Sequence, residues 1–109
     1  MNPVEVNPVD VNPVEVARHA LRGVLDPELG VDIVALGLVY DVRVDGDTLV
    51  VDMTLTTPGC PVSQSLPGQA RAAVAAVLGD MPVDVRIVWD PPWTPDYVEP
   101  EARRQLGLR

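Results

Sequence analysis

Apolar residues recur along this chain with two different periods, and the places where the period changes outline a fold. From Pro13 to Leu25, Val16, Ala17, Ala20, Leu21 and Val24 share one face of a helix. Glu15, Arg18, His19 and Arg22 share the other. Asn12 suits the N-cap, Pro13 the first helical position, and Glu15 stands at capping-box spacing. Asp26-Pro27 stops the helix, because a residue before proline avoids helical angles. Asp32-Ile33-Val34-Ala35-Leu36-Gly37 then reads as one capped turn, with Asp32 as its cap and Gly37 at a left-handed exit.

Beyond Gly37 the period drops to two. Leu38, Tyr40, Val42 and Val44 alternate with Val39, Asp41, Arg43 and Asp45. After the turn Asp45-Gly46-Asp47, Leu49, Val51, Met53 and Leu55 alternate with Thr48, Val50, Asp52 and Thr54. This predicts a hairpin with one apolar face and one mostly wet face. A second helix is expected from Pro61 to Leu78, with Leu66, Ala70, Ala73, Val74 and Val77 on its buried stripe. Pro67-Gly68 falls inside it, so a kink or a break is expected there. A third strand runs from Val83 to Trp89, with Trp89 in the core, and joins either edge of the hairpin. A short helix follows from Pro100 to Leu106, with Glu99 and Glu101 at its positive end and Arg103 and Arg104 toward its negative end. The order α-β-β-α-β with a short terminal helix predicts an α/β (α+β) two-layer sandwich. In it two helices cover a three-stranded sheet.

Residues 2–16 repeat one pentapeptide three times: Asn2-Pro3-Val4-Glu5-Val6, Asn7-Pro8-Val9-Asp10-Val11 and Asn12-Pro13-Val14-Glu15-Val16. The copies are too short to bury a face, so residues 1–12 are expected to be a flexible tail and 13–109 a single domain.

Composition narrows the partners. Eight arginines and no lysine face sixteen acidic residues, for a net charge of −8. That disfavours nucleic acid and anionic membranes and favours basic proteins or cationic metal species. No apolar run reaches membrane-spanning length and the start lacks signal-peptide features, so a cytoplasmic location is expected. The lone Cys60 permits no intrachain disulfide.

Cys60 is also the most informative residue. In Thr56-Thr57-Pro58-Gly59-Cys60-Pro61 it stands between a strand and a helix, with Pro61 at the first helical position. A sulfur at such an N-cap is stabilised as thiolate by free N–H groups and the helix dipole. Pro58 and Gly59 shape a tight turn, and the Thr56 and Thr57 hydroxyls can donate to a sulfur-bound group. The alternative is a buried cysteine acting as a small hydrophobe. Asp26 and Glu28, two apart in a turn, can hold a cation or receive a proton, or Asp26 can bond local backbone. His19 lies on a solvated helix face. Trp93 either caps the core or forms part of a docking surface.

Several blocks, taken in order, resemble the metal–sulfur cluster biosynthesis family, which includes SufT, PaaD and the cytosolic iron–sulfur targeting factor. They are Asp26-Pro27-Glu28-Leu29-Gly30, Asp32 to Tyr40, Met53 to Pro61, Val88-Trp89-Asp90-Pro91-Pro92-Trp93 and Ala102-Arg103-Arg104. The resemblance spans about residues 14–107. It implies an iron–sulfur assembly or maturation factor rather than an enzyme, with Cys60 as functional thiol and Asp26, Glu28, Thr56 and Thr57 around it. It also implies iron–sulfur carriers or scaffolds and client apoproteins as partners. One thiol cannot hold a cluster that commonly takes four. Cys60 is therefore expected to ligate a cluster transiently, across a homodimer or with a client, or to serve docking alone. No nucleotide-binding loop is present. A small thiol enzyme with Cys60 as nucleophile is the alternative from another class; it would need His19 as base.

Overall fold

The computed structural model describes residues 12–27, 29–56 and 65–107. The repeats before Asn12, Glu28, and residues 57–64 with Cys60 lie outside the described residues.

Helix α1 spans Pro13–Leu21, and the Asn12 side chain accepts from the Val14 N–H at 2.9 Å, as its cap position predicts. The helix ends a turn before the expected Leu25. The amides of Arg22, Gly23 and Val24 tighten onto the carbonyls of His19, Ala20 and Leu21. Leu25 then pairs antiparallel with Asp32, flanked by bonds from Asp26 N to Val31 O and from Ile33 N to Val24 O, both 2.9 Å. Backbone pairing across this loop has displaced the last helical turn. Val24 remains buried, while Leu25 is 51% exposed. The capped turn forms as expected: Asp32 Oδ1 accepts from Ala35 N at 2.8 Å, and Gly37 exits at φ 78°.

Strands β1 (Val39–Asp45), β2 (Thr48–Met53) and β3 (Val83–Ile87) form one sheet in the order β1-β2-β3. β1 and β2 are antiparallel; β2 and β3 are parallel. A parallel neighbour needs a crossover, and helix α2 (Leu66–Leu78) supplies it. That settles the edge left open by the sequence: β3 lies against β2. α1 packs on α2 and β1, and α2 packs on β3, so both helices serve one layer. α2 begins at Leu66, so Pro67 falls in its first turn, where a missing N–H is harmless; the expected stretch 61–64 lies outside the described residues.

The core is aliphatic. Leu21, Ile33, Leu36, Leu38, Leu49, Val51, Met53, Leu66 and Val74 are sealed from solvent, and no aromatic ring is among the buried hydrophobic residues. Three expected core positions lie outside it. Val44, near the hairpin tip, and Val77, in the last turn of α2, are exposed. Trp89, expected in β3, is 46% exposed, since the strand stops at Ile87 and the chain turns away.

The fourth correction is a bulge. Val39 pairs with Met53 but Asp41 pairs with Asp52, so Tyr40 is an extra residue in β1. The alternation slips there. Val39 packs on the core in the place expected for Tyr40, and the Tyr40 hydroxyl donates to the Pro91 carbonyl at 2.7 Å.

The opposite sheet face carries charge. Arg43 bonds Asp52 at 2.6 Å and Asp41 at 3.0 Å, and Arg86 bonds Asp84 at 2.8 Å. Val50, between Arg43 and Asp84 in the register, is only 1% exposed. Arginine stems cover apolar surface while their heads stay wet. After β3, residues 88–107 form a strap with a 3₁₀ turn at Pro95–Tyr97 and helix α3 at Pro100–Leu106. Val98 and Ala102 are its buried anchors.

Candidate functional site

Parallel strands deliver their C-terminal loops to the same side of a sheet, which is where open α/β sheets bind ligands. Here β2 and β3 both end beside the start of β1. The ladder continues past the strand ends: Thr54 N donates to Leu38 O and Val88 N to Met53 O, each at 2.8 Å. Thr54 is buried, its hydroxyl 3.5 Å from the Leu55 carbonyl, and Thr56 is half-buried. The middle strand therefore hands a fixed segment to the stretch that carries Thr57, Pro58, Gly59 and Cys60. Those four residues lie outside the described ones, as does the expected N-cap at Cys60.

Asp26 is 3% exposed. Its Oδ1 accepts from Leu29 N at 3.0 Å, its carbonyl accepts from Gly30 N at 2.8 Å, and its own N–H reaches Val31 O. A short carboxylate bonding a backbone N–H a few residues on stabilises a turn. These bonds hold the turn in place around Asp26. Leu25 and Leu29, on either side, are exposed.

Trp93 is half-buried and packs on the core, with its indole N–H donating to Leu36 O at 2.7 Å. It caps the core, and it also lines an apolar cleft of about 250 Å³ with Leu29, Leu36, Pro95, Val98 and Leu106. Leu29 belongs to the Asp26 loop, so the cleft joins that loop to the strap.

Other features of this end escaped the sequence. Tyr40 and Tyr97 meet edge to face, with centroids 5.9 Å apart. With Gly37, Val39 and Pro91 they line a cavity of about 440 Å³. Burial, and next the neighbouring Tyr97, push the Tyr40 phenol above its ordinary value. The signal available was that all four aromatic residues fall at Tyr40 or in 89–97. Arg22, expected merely to be solvated, makes two bonds to the Glu99 carboxylate, at 3.0 and 2.9 Å, with Asp32 3.7 Å away. The hydrogen bonds from Arg22 hold the Glu99 carboxyl below the usual range. Glu99 precedes α3 without capping it, because its carboxylate is engaged by Arg22. His19 is exposed on α1. Among the described residues, no group of three or more His, Cys, Asp or Glu side chains is placed to hold a metal.

Known proteins share this architecture. A Bacillus anthracis domain of unknown function superposes with TM-score 0.81 at 36% identity, over 89% of this chain and 93% of its own. The "Fe-S protein maturation auxiliary factor YitW" of Bacillus subtilis is 47% identical over 83% of this chain and 89% of its own. The Staphylococcus aureus "Fe-S protein maturation auxiliary factor SufT" is 46% identical over 78% of this chain and 98% of its own. The family model described as "Iron-sulfur cluster assembly protein" matches residues 15–86, a span from α1 through most of β3 that includes the Asp26 loop and Cys60. The chain belongs to that iron–sulfur cluster assembly family.

Proposed function

We propose that this chain is a non-catalytic factor in iron–sulfur cluster maturation, that its working thiol is Cys60, and that it acts in the cytoplasm with cluster carriers and client apoproteins. The observation that carries this reading is topological. Cys60 falls in sequence between β2 and α2, four residues after Thr56, and the segment leading to it leaves β2 at the end where β3 also finishes, with Thr54 N held by the Leu38 carbonyl. Relatives named as maturation auxiliary factors, and others named as cluster carrier proteins, support the same role. In this reading the cluster is cargo. One sulfur supplies one ligand, and the remaining ligands come from a second copy, a carrier or the client. Thr56, Thr57, Pro58 and Gly59 shape the thiol's turn, and Asp26 and Glu28 complete its surroundings.

The test pairs a cellular and a chemical readout. Cys60→Ala should fold as the parent does, judged by its melting curve, and should fail to support maturation of an iron–sulfur client enzyme. His19→Ala should leave maturation intact. Under anaerobic reconstitution with iron and sulfide, the parent should show cluster absorbance that Cys60→Ser lacks. Unimpaired maturation by Cys60→Ala would remove the thiol from the function.

A further inference from the structure

We propose that the cavity bounded by Gly37, Val39, Tyr40, Pro91 and Tyr97 is a docking pocket for an arginine side chain on a basic segment of a partner protein. This goes beyond the role of Cys60 and does not depend on it.

The aromatic rings lie outside the sealed centre of the core. The core is filled by aliphatic residues, and all four aromatic side chains gather at the end of the sheet that begins β1 and ends β3. Trp93 caps the core, whereas Trp89 and Tyr97 are exposed, and exposed aromatic residues gathered at one end mark a contact surface. The bulge at Tyr40 is the device that turns its ring out of the sheet. The bond from its hydroxyl to Pro91 O then fixes the ring against the strap. Tyr97 closes the other side, packed so closely that a Cβ on Gly37 would lie 2.4 Å from the Tyr97 carbonyl oxygen. Tyr97 is still 40% exposed. The result is an open cavity lined by two tyrosine rings.

Charge selects the occupant. Asp90 and Asp96, next in sequence to Pro91 and Tyr97, are exposed, and the Asp96 side chain is 91% accessible. Arg103 bonds the Pro95 carbonyl and pairs with Asp96 at 3.9 Å. Tyrosine rings on a chain of net charge −8 favour a cation. A planar guanidinium stacks on tyrosine more effectively than a compact, strongly hydrated ammonium. A second copy of this chain is a poor occupant, since each copy carries net charge −8. A basic protein segment satisfies both the rings and the field.

The test is NMR titration of ¹⁵N-labelled full-length protein with two capped pentapeptides of alternating glycine, one carrying arginine and the other lysine. Expected are saturable shifts at the amides of Gly37, Val39, Tyr40 and Tyr97, with the lysine peptide weaker by about threefold or more. Tyr97→Leu should weaken the arginine peptide by about the same factor. Asp84→Asn, on the charged sheet face, should leave it unchanged. Equal affinity for both peptides would overturn the pocket. So would shifts spread over the whole acidic surface, an effect of Asp84→Asn matching that of Tyr97→Leu, or no response at about 1 mM peptide. If Tyr97→Leu does not fold, the double variant Asp90→Asn, Asp96→Asn decides: weaker arginine binding supports the pocket and unchanged binding refutes it.

Discussion

At one end of the sheet β1 turns into β2 through Gly46 and Asp47, Val44 is exposed, and a side chain added at Gly46 would meet open space. At the other end, segments far apart in sequence close on one another. Tyr40 reaches Pro91, Trp93 reaches Leu36, Glu99 N reaches Ala35 O at 2.8 Å, and Gly37 lies against Tyr97. The first end is specified by a few neighbouring residues and tolerates change. The second is fixed by several long-range contacts at once. Surfaces that must hold a reactive loop or a partner in register need the second kind of construction.

The sharpest test of that contrast uses two glycines with similar backbone angles. Gly37 has φ 78° and Gly46 has φ 63°. Gly46→Ala should cost only left-handed strain, about 1–2 kcal/mol. Gly37→Ala adds a collision with the Tyr97 backbone and should cost about 2–5 kcal/mol. Denaturant midpoints of the two variants measure the difference, and equal losses would show that the strap yields freely. A smaller effect is expected of Trp93→Phe, which keeps a ring but removes the only donor of the indole. Leaving the Leu36 carbonyl without that bond should cost about 1 kcal/mol and should speed amide exchange in the strap more than in the hairpin.

The smallest effect belongs to Glu99→Gln. The Arg22–Glu99 pair is about half exposed, so its loss should cost under about 1 kcal/mol. Its pH dependence has a definite sign. Arg22 holds the Glu99 carboxyl below its unfolded value of 4.5, so the contribution is complete above that value. It fades as pH falls through the folded value, where protonation removes the charge. The gap in melting temperature between parent and Glu99→Gln should therefore close on acidification; a gap constant with pH would mean the pair contributes through packing instead.

Local patterns carried most of the architecture. Asn12 and Pro13 marked the start of α1, alternation marked three strands, and Pro100 to Leu106 marked α3, because each signal lies within the element it forms. The errors arose where tertiary contacts overrode local pattern. Pairing of Leu25 with Asp32 cut α1 short, the bulge moved Tyr40 off the core face, and the early end of β3 exposed Trp89. Pro67 stands one residue after the start of α2 at Leu66, a position where the fixed proline φ favours a helix start. At the candidate site, the buried and locally bonded Asp26 and the dual position of Trp93 were within reach of the sequence. The cavity beside Tyr40 and Tyr97 was not, since its walls come from residues 37–40 and 91–97.

The bulge has a consequence for how copies of this chain meet one another. β1 is an edge strand, and a long regular edge is a template on which like chains stack into fibrils. An extra residue at Tyr40 breaks the spacing that a stacking neighbour must match, and Asp41, Arg43 and Asp45 line the remainder with charge. On the far side β3 offers only five residues, with Pro82 just before them. Among the described residues, both outer strands thus carry features that disfavour edge-to-edge pairing of copies.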